Sequence, residues 1–365
     1  MSSRDFLMIL RTGSAKEAAV QGSVFEFDRL PSFGQPAPRP VVRTRAPVNR
    51  AVPLVGIIRN PRSHRNKGEM PELADCTNIL TEVPDTRESL RACLERFARR
   101  GVDFIAVDGG DGTVRDVLTC GGNIFGDNWP RLIVLPKGKT NALAVDLGLP
   151  GEWSLSEAMA AAQGGHTVRR QPLRIRAVGD TAGAGLQGFM LGAGAFTIAT
   201  RAGQEAHRRG AFNSFAVGLT ILWGIFQALF GRSGNPWRAS TPMRLVDSAD
   251  GRELPRSQRG RPGERFLAVA TTFERFPLGF RPFGRDVRTG IKLGLMDWPV
   301  RWLMALLPFV LMGFDSRMLA RHGAIRAHVD TMELDLGGNF ILDGESFPAG
   351  HYILDKGPQL TFVVP

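Results

Sequence analysis

Apolar runs and their punctuation divide the chain into two regimes. Between residues 52 and 166, short apolar runs alternate with segments of helical spacing. PLVGIIRNP is an apolar run that ends in Asn60-Pro61, as a buried strand followed by a turn would. RESLRACLERFARRG places Leu90, Cys93, Leu94 and Phe97 at helical spacing and stops at Gly101. VDFIAV predicts a second buried strand, and GGDGTVRDVLT a loop entering a helix. RLIVLPKG predicts a third strand and NALAVDLGL another helix. Strands alternating with helices predict a parallel, doubly wound α/β sheet.

From about Thr167 the pattern changes. VRRQPLRIRAV, LQGFMLGAGAF, RFLAVATTF, AHVDTMELDL, NFILDGESF and QLTFVV read as short antiparallel strands of a β-rich sandwich or barrel. Two apolar segments interrupt them. Residues 211–231 carry no charge and reach spanning length. Asn213, Ser214, Thr220 and Gln227 dilute them, and a span here would split the β domain, so a core or membrane-facing helix is expected. In residues 298–314, Trp298, Trp302 and Arg301 give one end an interfacial character; an ordinary buried amphipathic helix fits as well. Residues 30–50 mix proline and arginine without period. They read as a basic arm, either touching anionic lipid or simply solvated. The N-terminus does not read as a secretory signal. The expected division is an extension over 1–50, an α/β domain over 51–166 and a β-rich domain over 167–365.

Charge narrows the partners. The 365 residues carry a formal net charge of +11, and only six of the 46 basic residues are lysine. That balance favours nucleotides, phospholipid surfaces or nucleic acid; no nucleic-acid-binding pattern accompanies it. Cys76, Cys93 and Cys120 are widely spaced, which fits neither a zinc ribbon nor a disulfide framework and suits a reducing compartment. The histidines show no ligand spacing.

The sharpest chemical signal is Gly109-Gly110-Asp111-Gly112-Thr113, between a strand and a helix. Glycines let backbone approach a phosphate closely, and N–H groups at the helix start attract anions. Asp111 suits a magnesium ion or a hydroxyl beside that phosphate, and Thr113 a phosphate hydrogen bond. The run is neither a Walker A loop nor a dinucleotide fingerprint.

With three further motifs in order, the chain resembles the diacylglycerol kinase catalytic-domain family, which includes bacterial lipid kinases, sphingosine kinases and ceramide kinases. GGDGT resembles the family's nucleotide loop, shared with NAD kinases and phosphofructokinases. Asn60-Pro61 resembles its NP turn. Pro136-Lys137-Gly138-Lys139-Thr140-Asn141-Ala142-Leu143-Ala144, continued by Leu147-Gly148-Leu149-Pro150, resembles PxGTxNDFA and LGxP. Asp343-Gly344-Glu345 resembles the DGE near the C-terminus. The resemblance spans residues 52–365. It implies an NAD kinase-like and phosphofructokinase-like nucleotide domain followed by a lipid domain. It also implies ATP and Mg2+ as cofactors and a lipid alcohol as acceptor, on the cytoplasmic face of an anionic membrane to which the protein binds peripherally. Asn60, Pro61, Thr81, Gly109, Gly110, Asp111, Gly112, Thr113, Arg115, Gly138, Lys139, Thr140 and Asn141 are then expected at ATP, with Lys137, Lys139 and Arg115 spreading charge. Glu345, Asp111 and Asp343 are expected in catalysis, Glu345 as the base.

Four positions depart from the family pattern. Lys139 stands for its threonine and Ala142 for its aspartate, the latter as in sphingosine kinases. In Gly290-Ile291-Lys292-Leu293-Gly294-Leu295, Lys292 and Leu293 stand where bacterial members carry a magnesium-binding Asp-Asp-Gly segment, so that metal site is not expected; Asp297 falls too late to replace it. These departures keep two alternatives open: a catalytically silent lipid-binding protein, and an NAD kinase-like enzyme with a soluble substrate.

Overall fold

The computed structural model describes residues 52–66, 76–180, 185–200, 235, 238–257, 260–276, 279–284 and 290–365. The basic arm and the apolar segment 211–231 lie outside the described residues.

The three expected strands are β1 (Val55–Arg59), β3 (Phe104–Gly109) and β4 (Arg131–Pro136), with β2 (Ile79–Glu82) added at the edge. All four are parallel, in the order β2-β1-β3-β4. Because successive side chains point to opposite faces, the apolar runs serve two cores. Ile58, Ile105, Val107, Leu132 and Val134 face helices α1 (Arg87–Arg100) and α2 (Asp111–Phe125). Val55, Ile57, Phe104, Ala106, Ile133 and Leu135 face α4 (Leu155–Gln163), which follows α3 (Ala142–Leu147). Helix α1 starts where Thr86 and Ser89 form a capping box, and stops where Gly101 takes a left-handed φ of 59°.

Two more strands enter this sheet from beyond residue 166. QLTFVV, read among the antiparallel strands, instead supplies β18 (Leu360–Val363), parallel to β4 on one side and antiparallel to β5 (Thr167–Arg170) on the other. VRRQPLRIRAV, read as one strand, divides between β5 and β6 (Leu173–Ala177). Pro172 lies at the break, where its missing N–H suits a strand end, and Gly357 donates to its carbonyl at 2.8 Å.

The remaining strands form two antiparallel six-stranded sheets. One runs β10 (Glu264–Arg265), β9 (Thr241–Asp247), β14 (Met332–Leu336), β17 (Gly350–Lys356), β6 and β7 (Leu186–Gly188). The other runs β13 (Ala324–Val329), β12 (Ile291–Met296), β11 (Leu267–Thr271), β8 (Met190–Gly194), β15 (Phe340–Leu342) and β16 (Glu345–Phe347). Their inner faces share one apolar core, including Leu173, Ile175, Leu191, Leu293, Leu334, Phe340 and Leu354. This is the expected sandwich. AHVDTMELDL is not one strand but β13 and β14, in different sheets, turning at Asp330-Thr331.

Residues 298–314 form no single amphipathic helix. Pro308 divides them into α5 (Arg301–Ala305) and α6 (Leu307–Leu311), followed by α7 (Arg317–Arg321). Among the described residues no helix is long and apolar enough to cross a membrane.

Candidate active site

The sequence motifs meet at the carboxyl ends of the parallel strands, where open α/β sheets bind ligands. β1 delivers Asn60, β3 delivers Gly110 and β4 delivers Lys137. Lys137 donates its backbone N–H to Gly109 O at 3.1 Å, stitching the second and third of these turns together.

Asn60 is buried and braces the site rather than facing solvent. Its Nδ2 donates to Thr113 Oγ1 at 2.9 Å, and its Oδ1 accepts from Arg62 N at 2.9 Å across the Pro61 turn. Thr113 is fully buried, so it supports the GGDGT loop from below instead of presenting a hydroxyl to a phosphate. Gly109 makes room for it: a Cβ there would meet Thr113 Oγ1 at 2.5 Å.

Asp111 occupies the first helical position of α2, after the N-cap Gly110. Its carboxylate accepts from Ala142 N at 2.8 Å and Leu143 N at 3.0 Å, capping α3. Burial nevertheless raises its pKa, against the lowering by these two N–H groups. The turn before α3 is closed by Asn141, in left-handed conformation with φ 49°, whose side chain accepts from Gly138 N at 2.9 Å. Lys139 and Thr140 are exposed, and Gly112, Lys137 and Gly138 half-buried. Thr81 lies on β2 opposite Ile57, its buried Oγ1 without a hydrogen-bond partner.

The two phosphate-type loops touch through glycine. A Cβ on Gly138 would stand 2.7 Å from Gly110 Cα and 2.7 Å from Asn141 Oδ1. Backbone cannot yield as a flexible side chain does. Gly138→Ala is therefore expected to cost about 1–3 kcal/mol of stability and to weaken nucleotide binding, read from thermal melts and ATP titration.

The sandwich contributes Asp343, on the turn between β15 and β16. Asp343 adopts φ 44°, a region that Asp tolerates better than most residues. Its Oδ1 accepts from Met190 N at 2.9 Å and Phe189 N at 3.1 Å. A Cβ on Gly188 would stand 2.5 Å from its Oδ2, so glycine there admits the carboxylate. Burial, reinforced by the charge of Asp111, pushes the Asp343 pKa up to about 7.

Glu345, the base expected from the motif, is held differently. It is 2% exposed and forms an ion pair with Arg115, whose guanidinium also binds Asp116 at 2.8 Å and Leu342 O at 3.3 Å. Arg115 is itself 1% exposed. It is engaged by the sandwich through Leu342 O and Glu345.

Sequence reasoning missed a second junction. Asp146, on α3, is fully buried and accepts from Arg170 Nε at 2.7 Å, Glu274 N at 2.6 Å and Arg275 N at 2.8 Å. Its signal was a carboxylate inside the apolar helix AVDL. Nearby, Lys292 donates to Phe273 O at 2.8 Å; burial lowers its pKa, while Glu274 and Asp146 pull the other way. Asp297 is taken by Arg265 at 2.7 Å and Ser257 N at 2.6 Å.

Residues 55–174 match the diacylglycerol kinase catalytic domain family. The match covers less than half of the chain. A diacylglycerol kinase from Bacillus anthracis str. Sterne shares the fold with TM-score 0.56 at 15% identity, over 87% of this chain and 98% of that one. A provisional diacylglycerol kinase from the same organism gives TM-score 0.61 at 16% identity, over 87% and 99%. Among curated proteins no relative matches. The likeness thus extends beyond the catalytic domain to the sandwich, and at this identity it concerns the fold.

Proposed function

We propose that the protein is an ATP-dependent lipid kinase that phosphorylates a hydroxyl of a diacylglycerol- or sphingoid-like lipid. The observation that carries this reading is the meeting of two glycine-rich turns, at Gly110 and Gly138, at the carboxyl ends of the parallel strands, with Asp343 near enough to Asp111 for their charges to act on each other. Burial first, and then the charge of the phosphate-loop aspartate, raise the pKa of this sandwich carboxyl to about 7. A general base works best with a pKa near the operating pH.

Asp343, not Glu345, takes the proton in this reading. Asp343 is partly open, whereas Glu345 is sealed against Arg115. The lipid hydroxyl gives its proton to Asp343 while its oxygen bonds to the γ-phosphorus. The bond to the β–γ bridging oxygen breaks and ADP leaves, and Asp343 then releases the proton to solvent. The two glycine-rich loops position the triphosphate, and the charges of Lys137 and Lys139, on the second loop, offset that of its phosphates.

Among the described residues no three His, Cys, Asp or Glu side chains converge as a metal cage. Magnesium carried on the nucleotide takes one or two carboxylates plus phosphate oxygens, and Asp111, each of whose oxygens already accepts one backbone N–H, would hold it through its remaining lone pairs. When bound, the ion neutralises phosphate charge.

The test is transfer of γ-labelled phosphate from ATP to micellar diacylglycerol, sphingosine and ceramide, with NAD as control. Label in a lipid supports the reading; label in NAD alone, or in nothing, overturns it. The pH profile adds a second check. The base must be ionised, so kcat/KM is expected to fall on the acid side, with a midpoint no higher than about 7, because bound magnesium lowers it. A profile flat from about pH 5 to about pH 8 would remove Asp343 from this role.

A further inference from the structure

Helices α5–α7 sit on a small core of their own. Leu303, Met304 and Leu319 pack with Ala195, Phe266 and Met296 at the ends of the β8–β12 sheet. Outward from this anchored base the pattern reverses. Phe309 is 59% exposed, Met312 64%, Phe314 50% and Met318 51%. Among the described residues eight large hydrophobic side chains are exposed, and the others are Phe280 and three scattered valines. Among the described residues every exposed Phe and Met therefore belongs to this region, because Phe280 adjoins it: Arg281 N donates to Leu311 O at 2.7 Å. Scattered exposed apolar groups need no explanation, but a concentration of aromatic and Met side chains does.

The knob is held rigid. Phe314 N donates to Phe309 O at 3.0 Å, bringing the two rings onto one turn. The Arg326 guanidinium, reaching out from β13, ties both of its loops to the sandwich. It donates to Val310 O at 2.8 Å, Phe314 O at 3.1 Å and Pro282 O at 2.9 Å. Such preorganisation lowers the entropic cost of docking.

Charge around the knob selects the partner. Arg281, Arg301, Arg317 and Arg321 are all exposed. Asp315 is the acidic residue between α6 and α7, and it lies 3.4 Å from Arg326. Projecting aromatic and Met side chains inside an arginine collar match an anionic bilayer: the apolar tips enter the acyl boundary and the guanidinium groups meet phosphates. A second copy is a poorer partner, because a two-fold contact would set this collar against itself.

We propose that the α5–α7 knob is the surface by which the protein docks on a bilayer containing anionic lipid. This rests on the lipid-kinase reading for its purpose, but its test does not need turnover. The full chain is floated with vesicles of phosphatidylcholine, with and without phosphatidylglycerol. Two paired variants accompany it: Phe309→Ser with Phe314→Ser, and Arg317→Glu with Arg321→Glu. The wild type is expected to float with phosphatidylglycerol vesicles and to lose them as salt rises. Each pair is expected to lower that binding about tenfold or more. Unchanged melting temperatures, and unchanged label transfer to lipid dispersed in detergent, would show that the loss belongs to docking. Vesicle binding with this pattern but no label transfer would sustain the docking surface and sink the kinase reading. The proposal is overturned if the wild type ignores phosphatidylglycerol vesicles or if both pairs float like the wild type. It also falls if the variants dissociate a dimer while vesicle binding stays unchanged.

Discussion

Asp343→Asn is expected to lower kcat by about a hundred- to ten-thousand-fold, the range removed with a general base, while the fold remains as stable or becomes more so. The geometry makes asparagine a gentle substitution. It tolerates a φ of 44°, and an amide oxygen in the place of Oδ1 keeps the bonds from Phe189 N and Met190 N. What it removes is a charge opposed by burial and by Asp111. The sign follows from proton linkage. Because the native pKa of about 7 lies above the ordinary 3.8, the native state binds this proton more tightly than the unfolded state. The carboxylate therefore costs nothing below its unfolded pKa and costs most above about pH 7. The variant's melting temperature should match wild type near pH 4 and exceed it near pH 8. Lost turnover together with a lower melting temperature at both pH values would mean structural damage instead. Retained turnover would move the base elsewhere.

Glu345→Ala should behave in the opposite way. It leaves Arg115, 1% exposed, with Asp116, Leu342 O and the face of Phe347 at 5.8 Å. Removing one member of a buried ion pair costs about 3–5 kcal/mol. The lower end, about 3 kcal/mol, is expected because Asp116 remains. Urea unfolding checks the value, and Arg115→Met should cost at least as much, since it strands two buried carboxylates, Asp116 and Glu345. A Glu345→Ala protein of wild-type stability would show that the pair is not structural. In any surviving Glu345→Ala activity the acid limb of the pH profile should persist, because Asp343 still supplies it.

The sequence marked the turns that gather at the strand ends but not how the carboxylates beside them are held. β1, β3 and β4 were legible because each is an unbroken apolar run that stops at a turn motif: Asn60-Pro61, the GGDGT loop or Pro136-Lys137. The assignment at Asp343-Gly344-Glu345 was not legible. Two residues apart on a tight turn, one carboxylate accepts from Phe189 N and Met190 N and the other begins β16 against Arg115, a contact between residues distant in sequence. Likewise Arg115 looked like a phosphate ligand because it follows GGDGT. Helical geometry instead carries it to the sandwich. Thr113 was assigned by its motif, yet its hydroxyl points down to Asn60. β2 escaped notice because all four of its residues are half-buried, so neither an apolar run nor an alternation marks it.

The place of β18 between β4 and β5 bears on how the protein is made. A ribosome emits β5 at Thr167–Arg170 and must add roughly 190 more residues, about 10–40 s at ordinary elongation rates, before Leu360–Val363 emerges. Until then the open flank of β4 keeps unpaired backbone groups, and Phe362 and Val363 are missing from the two cores that flank the sheet. The α/β half therefore cannot finish folding first and wait for its partner. The sandwich must be threaded out and back before either half closes, which couples the two during birth as Arg115 and Asp146 couple them in the finished molecule.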